Sequence, residues 1–230
     1  MTLGNKENVL NYPEYRVKFL TGCLSLLSVL YFYQYIVMTF VWSFRNEKDP
    51  QRGSILRYSL LVGITFFHHA IYFYINKILP LKNITSALCI QILFSTTTGI
   101  IYGILCQLNY FYFLFLYPLV IAITFIILAL LNYFRVPKFD LTTRFGYKLY
   151  LNISTLLMGI YIRYYTDYTS VHNTARDGLD ALVVVIVVGT WILYGSMWLQ
   201  SMKKLDINPS NFGFGCWLLY SWPRAKIIFV

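Results

Sequence analysis

Two adjacent histidines, His68 and His69, are the side chains of this sequence best suited to acid–base chemistry. Histidine titrates near neutral pH, so the pair could supply a general base, a proton relay or a metal ligand. Successive residues of a helix point about 100° apart, so the two rings cannot share one ligand. The sequence has 3 histidines, and His172 falls in a predicted loop. We therefore expect no metal and no cofactor, and His68 and His69 stand as weak catalytic candidates.

Polar side chains also recur at helical spacing inside otherwise apolar stretches. Intervals of three and four residues place side chains on one face of a helix, and four predicted helices carry such a stripe. The candidate cavity-lining residues are Thr65, His69, Tyr72, Asn76, Gln91, Ser95, Thr98, Asn152, Thr155, Arg163, Ser196 and Gln200.

These stripes allow two interpretations. Turned inward together, they would line a polar cavity. Alternatively, the same side chains hydrogen-bond between helices and hold the bundle together, and this interpretation is favoured. Gly99 and Gly103 form a GxxxG pattern, which predicts close helix packing. The four hydroxyls of residues 95–98 surround the helix, so some of them must bond to carbonyls one turn earlier.

The elements that position these residues are predicted to be membrane helices. Of the 230 residues, 58% are hydrophobic and 12% are charged, whereas soluble domains have about 25% charged residues. The charges lie between long apolar runs, and about 20 apolar residues cross a bilayer as a helix. The 4 cysteines form no CxxC pair, which argues against a disulfide framework and against a zinc site.

The predicted fold is all-α: a polytopic transmembrane helix bundle of about six spans, followed by a short interfacial or re-entrant C-terminal segment. Residues 1–18 are predicted to be a cytoplasmic N-terminal segment, residues 19–204 a single transmembrane domain, and residues 205–230 an interfacial tail. A long charge-free run is divided into two spans at Gln107 to Asn109. The predicted spans are 19–44, 58–79, 85–106, 110–134, 147–165 and 182–202.

The net charge of +10 is better explained by membrane topology than by nucleic-acid binding. Lys and Arg mark the cytoplasmic loops of membrane proteins, and most of them lie on the same side as the two chain ends. We therefore expect both termini in the cytoplasm, with an internal membrane, organellar or of the endoplasmic reticulum, slightly favoured. The expected partners are the lipid bilayer and other membrane protein subunits, and no nucleic acid.

The favoured function is a non-enzymatic integral membrane scaffold or a subunit of a membrane protein complex. The sequence shows no deep carboxylate, no nucleophile with a base and no cofactor motif. One alternative is a small-solute transporter or channel lined by the polar faces of predicted helices 2, 3, 5 and 6. Another is a lipid-modifying membrane enzyme that uses His68 or His69.

Overall fold

The computed structural model describes residues 12–44, 50–78, 84–107, 116–134, 143–169, 212–213 and 215–216. These residues form five main α-helices, namely α1 (Pro13–Ser43), α2 (Pro50–Ile78), α3 (Ile84–Gln107), α4 (Tyr117–Phe134) and α5 (Arg144–Thr169). The predicted all-α class is confirmed for this part of the chain. The predicted span 182–202 and most of the predicted tail lie outside the described residues.

Three of these described helices have the length and apolar composition needed to cross a membrane. The spanning stretches are Glu14–Ser43 in α1, Ala87–Gln107 in α3 and Tyr117–Phe134 in α4. Helix α2 holds a shorter apolar stretch, Ile55–Ile71. A helix of about 20 apolar residues matches the hydrocarbon core of a bilayer, so these stretches indicate an integral membrane protein.

Proline residues stand at or next to the beginning of three helices. Pro13 and Pro50 are the first residues of α1 and α2, where the missing N–H has no intrahelical acceptor to lose. Helix α1 begins before the predicted residue 19 because a polar first turn with Glu14 extends it. Helix α4 begins at Tyr117 and not at the predicted residue 110, and Pro118 lies in its first turn.

Residue contacts divide the chain into two units. The first unit comprises residues 1–27 and 124–230, and the second unit comprises residues 28–123. In the first unit the largest fully buried side chains are Tyr150, Phe19, Phe125, Leu20, Leu24 and Leu27. In the second unit they are Phe94, Met38 and Ile121. Helices α2 and α3 pack against each other within the second unit.

Candidate functional site

The consecutive threonines of α3 donate hydrogen bonds to backbone carbonyls of the same helix. Thr96 donates to the Ile92 carbonyl at 2.8 Å. Thr97 and Thr98 both donate to the Phe94 carbonyl, at 3.0 and 2.8 Å. The predicted back-bonding is therefore confirmed. It satisfies these hydroxyl hydrogens within α3 and leaves the hydroxyl oxygens able to accept bonds from other helices.

His68 is buried where α2 meets α3. Its Nδ1 lies 2.8 Å from Thr97 Oγ1. Because the Thr97 hydroxyl donates to the Phe94 carbonyl, Nδ1 carries the hydrogen and the Thr97 oxygen accepts it. The His68 ring also lies on the Phe94 ring, with centroids 3.9 Å apart. One histidine thus joins the two helices through a polar contact and an aromatic contact.

His69 lies on the exposed side of α2, although the predicted polar stripe placed it inward. Its Nδ1 is 2.7 Å from the Thr65 carbonyl oxygen. A carbonyl only accepts, so Nδ1 carries the hydrogen and Nε2 of the neutral ring presents a lone pair. The difference from the prediction has a simple geometric reason, since neighbouring helical positions diverge by about 100° and α3 contacts the face that holds His68.

The predicted stripe on α3 lies inside the protein. Gln91, Ser95 and Thr98 are all buried, and each has further interactions in the structure. Gly99 and Gly103 follow on the neighbouring part of the same helical surface. The polar stripe and the glycine pattern therefore lie on adjoining faces of α3.

The glycine pair of α3 lies against α1 at a distance that excludes a side chain. A Cβ on Gly99 would stand 2.9 Å from the Gln34 carbonyl oxygen. A Cβ on Gly103 would stand 2.7 Å from Val41 Cβ and 2.9 Å from the Met38 carbonyl oxygen. Real Cβ atoms are essentially never found closer than 3.0 Å to such atoms, so both positions require glycine for this approach of the two backbones.

Helix α1 adds polar contacts that the sequence interpretation did not include. Tyr33 Oη and Thr96 Oγ1 are 3.0 Å apart, and Gln107 Nε2 donates to the Val41 carbonyl. Ser28 Oγ donates to the Ala122 carbonyl of α4 at 2.8 Å.

Gln34 is fully buried. An isolated amide in a charge-free span is the signal that could have identified Gln34, because such groups are costly unless they are satisfied.

In the first unit, Asn132 of α4 forms hydrogen bonds with α1. Its Nδ2 donates to the Val17 carbonyl and to Thr21 Oγ1, both at 2.9 Å. Thr21 itself donates to the Val17 carbonyl at 2.9 Å. The three groups form a closed hydrogen-bonded cluster near the beginning of α1.

The short C-terminal pieces also contact α1 in the first unit. Cys216 Sγ donates to the Cys23 carbonyl at 2.9 Å, and Cys23 Sγ lies 3.4 Å from the Phe212 carbonyl. A Cβ on Gly215 would stand 2.5 Å from Phe19 Cζ. Both thiols are free and buried, and a buried thiol in such surroundings is ordinarily inert.

Helix α5 presents a different face from the predicted one. Asn152 and Thr155 are exposed, and Tyr150 and Ser154 are the buried polar side chains among the α5 residues whose burial the structure describes. The helical interval of four residues explains why Tyr150 and Ser154 share a face. The side chains of the remaining candidates, Tyr72, Asn76, Arg163, Ser196 and Gln200, lie outside the described part of the structure.

The described residues contain no group of three His, Cys, Asp or Glu side chains that could hold a metal ion. In comparisons with protein-family models, curated proteins and solved structures, nothing matches this chain. The class of protein is therefore defined by the helices themselves, as an α-helical integral membrane protein.

Proposed function

We propose that the protein is a non-enzymatic integral membrane scaffold or a subunit of a membrane protein complex. One observation carries the proposal: the polar and glycine positions of α3 serve contacts with other helices of the same chain. Gly99 and Gly103 admit the backbone of α1, and Thr97 and Thr96 bond to His68 and Tyr33. Residues used in this way hold a bundle together, whereas a transport pathway needs polar groups that face an open passage.

The proposal includes six membrane spans with both chain ends in the cytoplasm, in an internal membrane. The distribution of Lys and Arg supports this orientation. Three long apolar helices support membrane insertion. Protease protection of tags at either end of the protein in sealed vesicles tests the orientation, and a protected tag at one end only would require an odd number of spans.

Purification of the full chain in a mild detergent tests the subunit proposal. The tagged protein is isolated from its native membranes at physiological expression, and the recovered proteins are quantified by mass spectrometry. We expect at least one other membrane protein in a fixed molar ratio to the chain. An unrelated tagged multi-pass protein of similar length is the control. Recovery of the chain only as a monomer or a homo-oligomer would contradict the proposal.

A second candidate function is lipid modification with His69 as a general base. The observation in its favour is the geometry of the ring, since the bond from Nδ1 to the Thr65 carbonyl at 2.7 Å leaves Nε2 as the proton acceptor. Lipid profiles of membranes carrying His69→Ala and His68→Ala variants test this candidate. Accumulation of a precursor lipid with His69→Ala would favour it, and unchanged profiles with both variants would remove it.

A further inference from the structure

Two of the 4 cysteines of the sequence meet where the C-terminal pieces, residues 212–213 and 215–216, contact α1. Cys23 and Cys216 are 193 positions apart, and both belong to the first unit. The Cys216 sulfur lies 2.9 Å from the Cys23 carbonyl oxygen, and the two thiols interact with each other. Both are free in this structure. The fold therefore places two reduced thiols side by side.

Two glycines allow the C-terminal pieces to lie close to α1 at this point. A Cβ on Gly215 would stand 2.8 Å from Cys23 Sγ, so a side chain next to Cys216 would have to displace the Cys23 thiol. A Cβ on Gly22 would stand 3.3 Å from the Phe212 ring. Close approach of the two segments is a requirement for a disulfide, because its two Cα atoms usually lie within about 7 Å of each other.

The present hydrogen bonds of the two thiols are weak ones. Cys216 donates to the Cys23 carbonyl, and Cys23 lies 3.4 Å from the Phe212 carbonyl. A thiol is a poor hydrogen-bond donor, so these bonds are readily exchanged for a covalent one. Rotation about the Cα–Cβ bonds turns one sulfur towards the other.

Burial of both thiols determines which oxidant suits the pair. A thiol in apolar surroundings is unreactive towards bulky or charged reagents. A peroxide as small as hydrogen peroxide is uncharged and little larger than water. Its reaction with one thiol breaks the O–O bond, gives a sulfenic acid and releases water. Attack by the second thiol on the sulfenic sulfur forms the S–S bond and releases a second water.

We propose that Cys23 and Cys216 are a modification site, at which a small peroxide converts the two thiols into a reversible intramolecular disulfide that ties the C-terminal pieces to α1. The two sulfurs supply the two electrons that reduce the peroxide, and the two thiol protons leave in the two water molecules. A thiol reductant reverses the bond by exchange. The inference is independent of the proposed subunit function.

Thiol counting on the full chain in its native membrane tests the proposal. The membranes are treated with hydrogen peroxide, unfolded in detergent and labelled with a maleimide that shifts the gel mobility once per free thiol. The Cys89→Ser variant is used, because Cys89 is exposed and its own oxidation would complicate the count. We expect the treated protein to carry two fewer labels than the untreated protein. Treatment with a thiol reductant before labelling should restore both.

Variants of the other cysteines supply matched controls. In the same background, Cys23→Ser and Cys216→Ser should each abolish the loss of labels, because one thiol alone cannot form the bridge. Cys106 is also buried but belongs to the second unit, and Cys106→Ser should still lose two labels. Helix content measured by circular dichroism checks the folding of each variant.

Mass spectrometry of peptides from the oxidised Cys89→Ser protein identifies the bond without any substitution at the pair. We expect one linked peptide that joins Cys23 to Cys216 and weighs two hydrogens less than its two parts. Four results would overturn the inference. These are retention of every label after peroxide treatment, a linked peptide that contains Cys106, a disulfide between two copies of the chain, and a loss of labels that a thiol reductant does not reverse.

Discussion

Glycines in this chain occur in two opposite environments. Gly103 faces α1 so closely that a Cβ would stand 2.7 Å from Val41 Cβ, whereas a Cβ on Gly63 of α2 meets nothing within 4 Å. Both residues lie in apolar stretches, but only Gly103 belongs to a GxxxG pattern. The difference teaches that α1 and α3 fit closely together, whereas Gly63 lies on a side of α2 that the described residues leave exposed.

The largest effect is expected from adding a side chain where Gly103 of α3 contacts α1. Gly103→Ala puts a methyl group against Val41 and the Met38 carbonyl, so we expect a loss of about 1–3 kcal/mol in the free energy of unfolding. Gly63→Ala is the matched control and should be neutral or stabilise by up to about 1 kcal/mol, because alanine restricts the unfolded chain. Unfolding in mixed detergent, followed by circular dichroism, measures both. Equal effects at the two sites would abolish the distinction between the two environments.

The next largest effect is expected for the two histidines of α2, of which His68 is buried against α3 and His69 is exposed. His68 bonds to Thr97 at 2.8 Å and packs against the Phe94 ring at a tilt of 39°, so His68→Phe keeps the aromatic contact and loses the hydrogen bond. In a double-mutant cycle with Thr97→Val, we expect a coupling energy of about 0.6 kcal/mol and at most about 1.7 kcal/mol.

His69→Phe is the control for this cycle. His69 is exposed, so its coupling to Thr97→Val should be zero and its own effect on the free energy of unfolding should stay within about 0.5 kcal/mol. A coupling for His69 as large as that for His68 would contradict the placement of His68, and not His69, against α3.

A smaller effect is expected where α1 meets the hydroxyl run. Tyr33 Oη lies 3.0 Å from Thr96 Oγ1, and this contact is only partly buried. Tyr33→Phe should therefore cost less than about 0.6 kcal/mol in the free energy of unfolding, the average for a hydrogen bond between membrane helices. The same unfolding assay measures it, and Thr39→Val, which removes a bond within α1 alone, is the control. If Tyr33→Phe lowered the free energy of unfolding by more than the His68–Thr97 coupling energy, the contact between α1 and α3 would be the stronger of the two.

The sequence was sufficient to predict the all-helical class and the long apolar helices α1, α3 and α4, because runs without charge mark membrane helices regardless of the tertiary structure. It was less accurate about their ends. Helix α4 begins at Tyr117, and Pro118 was an available signal, since proline is favoured in a first turn. Helix α5 extends over Arg144–Thr169, beyond the predicted 147–165, because polar residues continue a helix outside an apolar core.

The buried faces were harder to predict for a physical reason. A helix that is apolar on all sides gives no contrast from which its inner face can be read. On α3 the polar stripe gave that contrast, and Gln91, Ser95 and Thr98 are buried. On α2 the histidine pair spans two faces, and only the contact with Phe94 and Thr97 decides that His68 is the inner residue. No interval within α2 contains that information.

The smallest effect is expected at Phe66, on the exposed side of α2. Phe66 is 77% exposed, so Phe66→Leu removes little packing and should change the free energy of unfolding of the purified chain by less than about 0.5 kcal/mol. Phe94 is fully buried, and Phe94→Leu should cost more than about 1 kcal/mol, since the lost volume leaves a cavity. A substantial loss of stability with Phe66→Leu in the isolated chain would mean that α2 is already covered by the chain itself. The expected indifference would instead match the exposure of Phe66 in the structure.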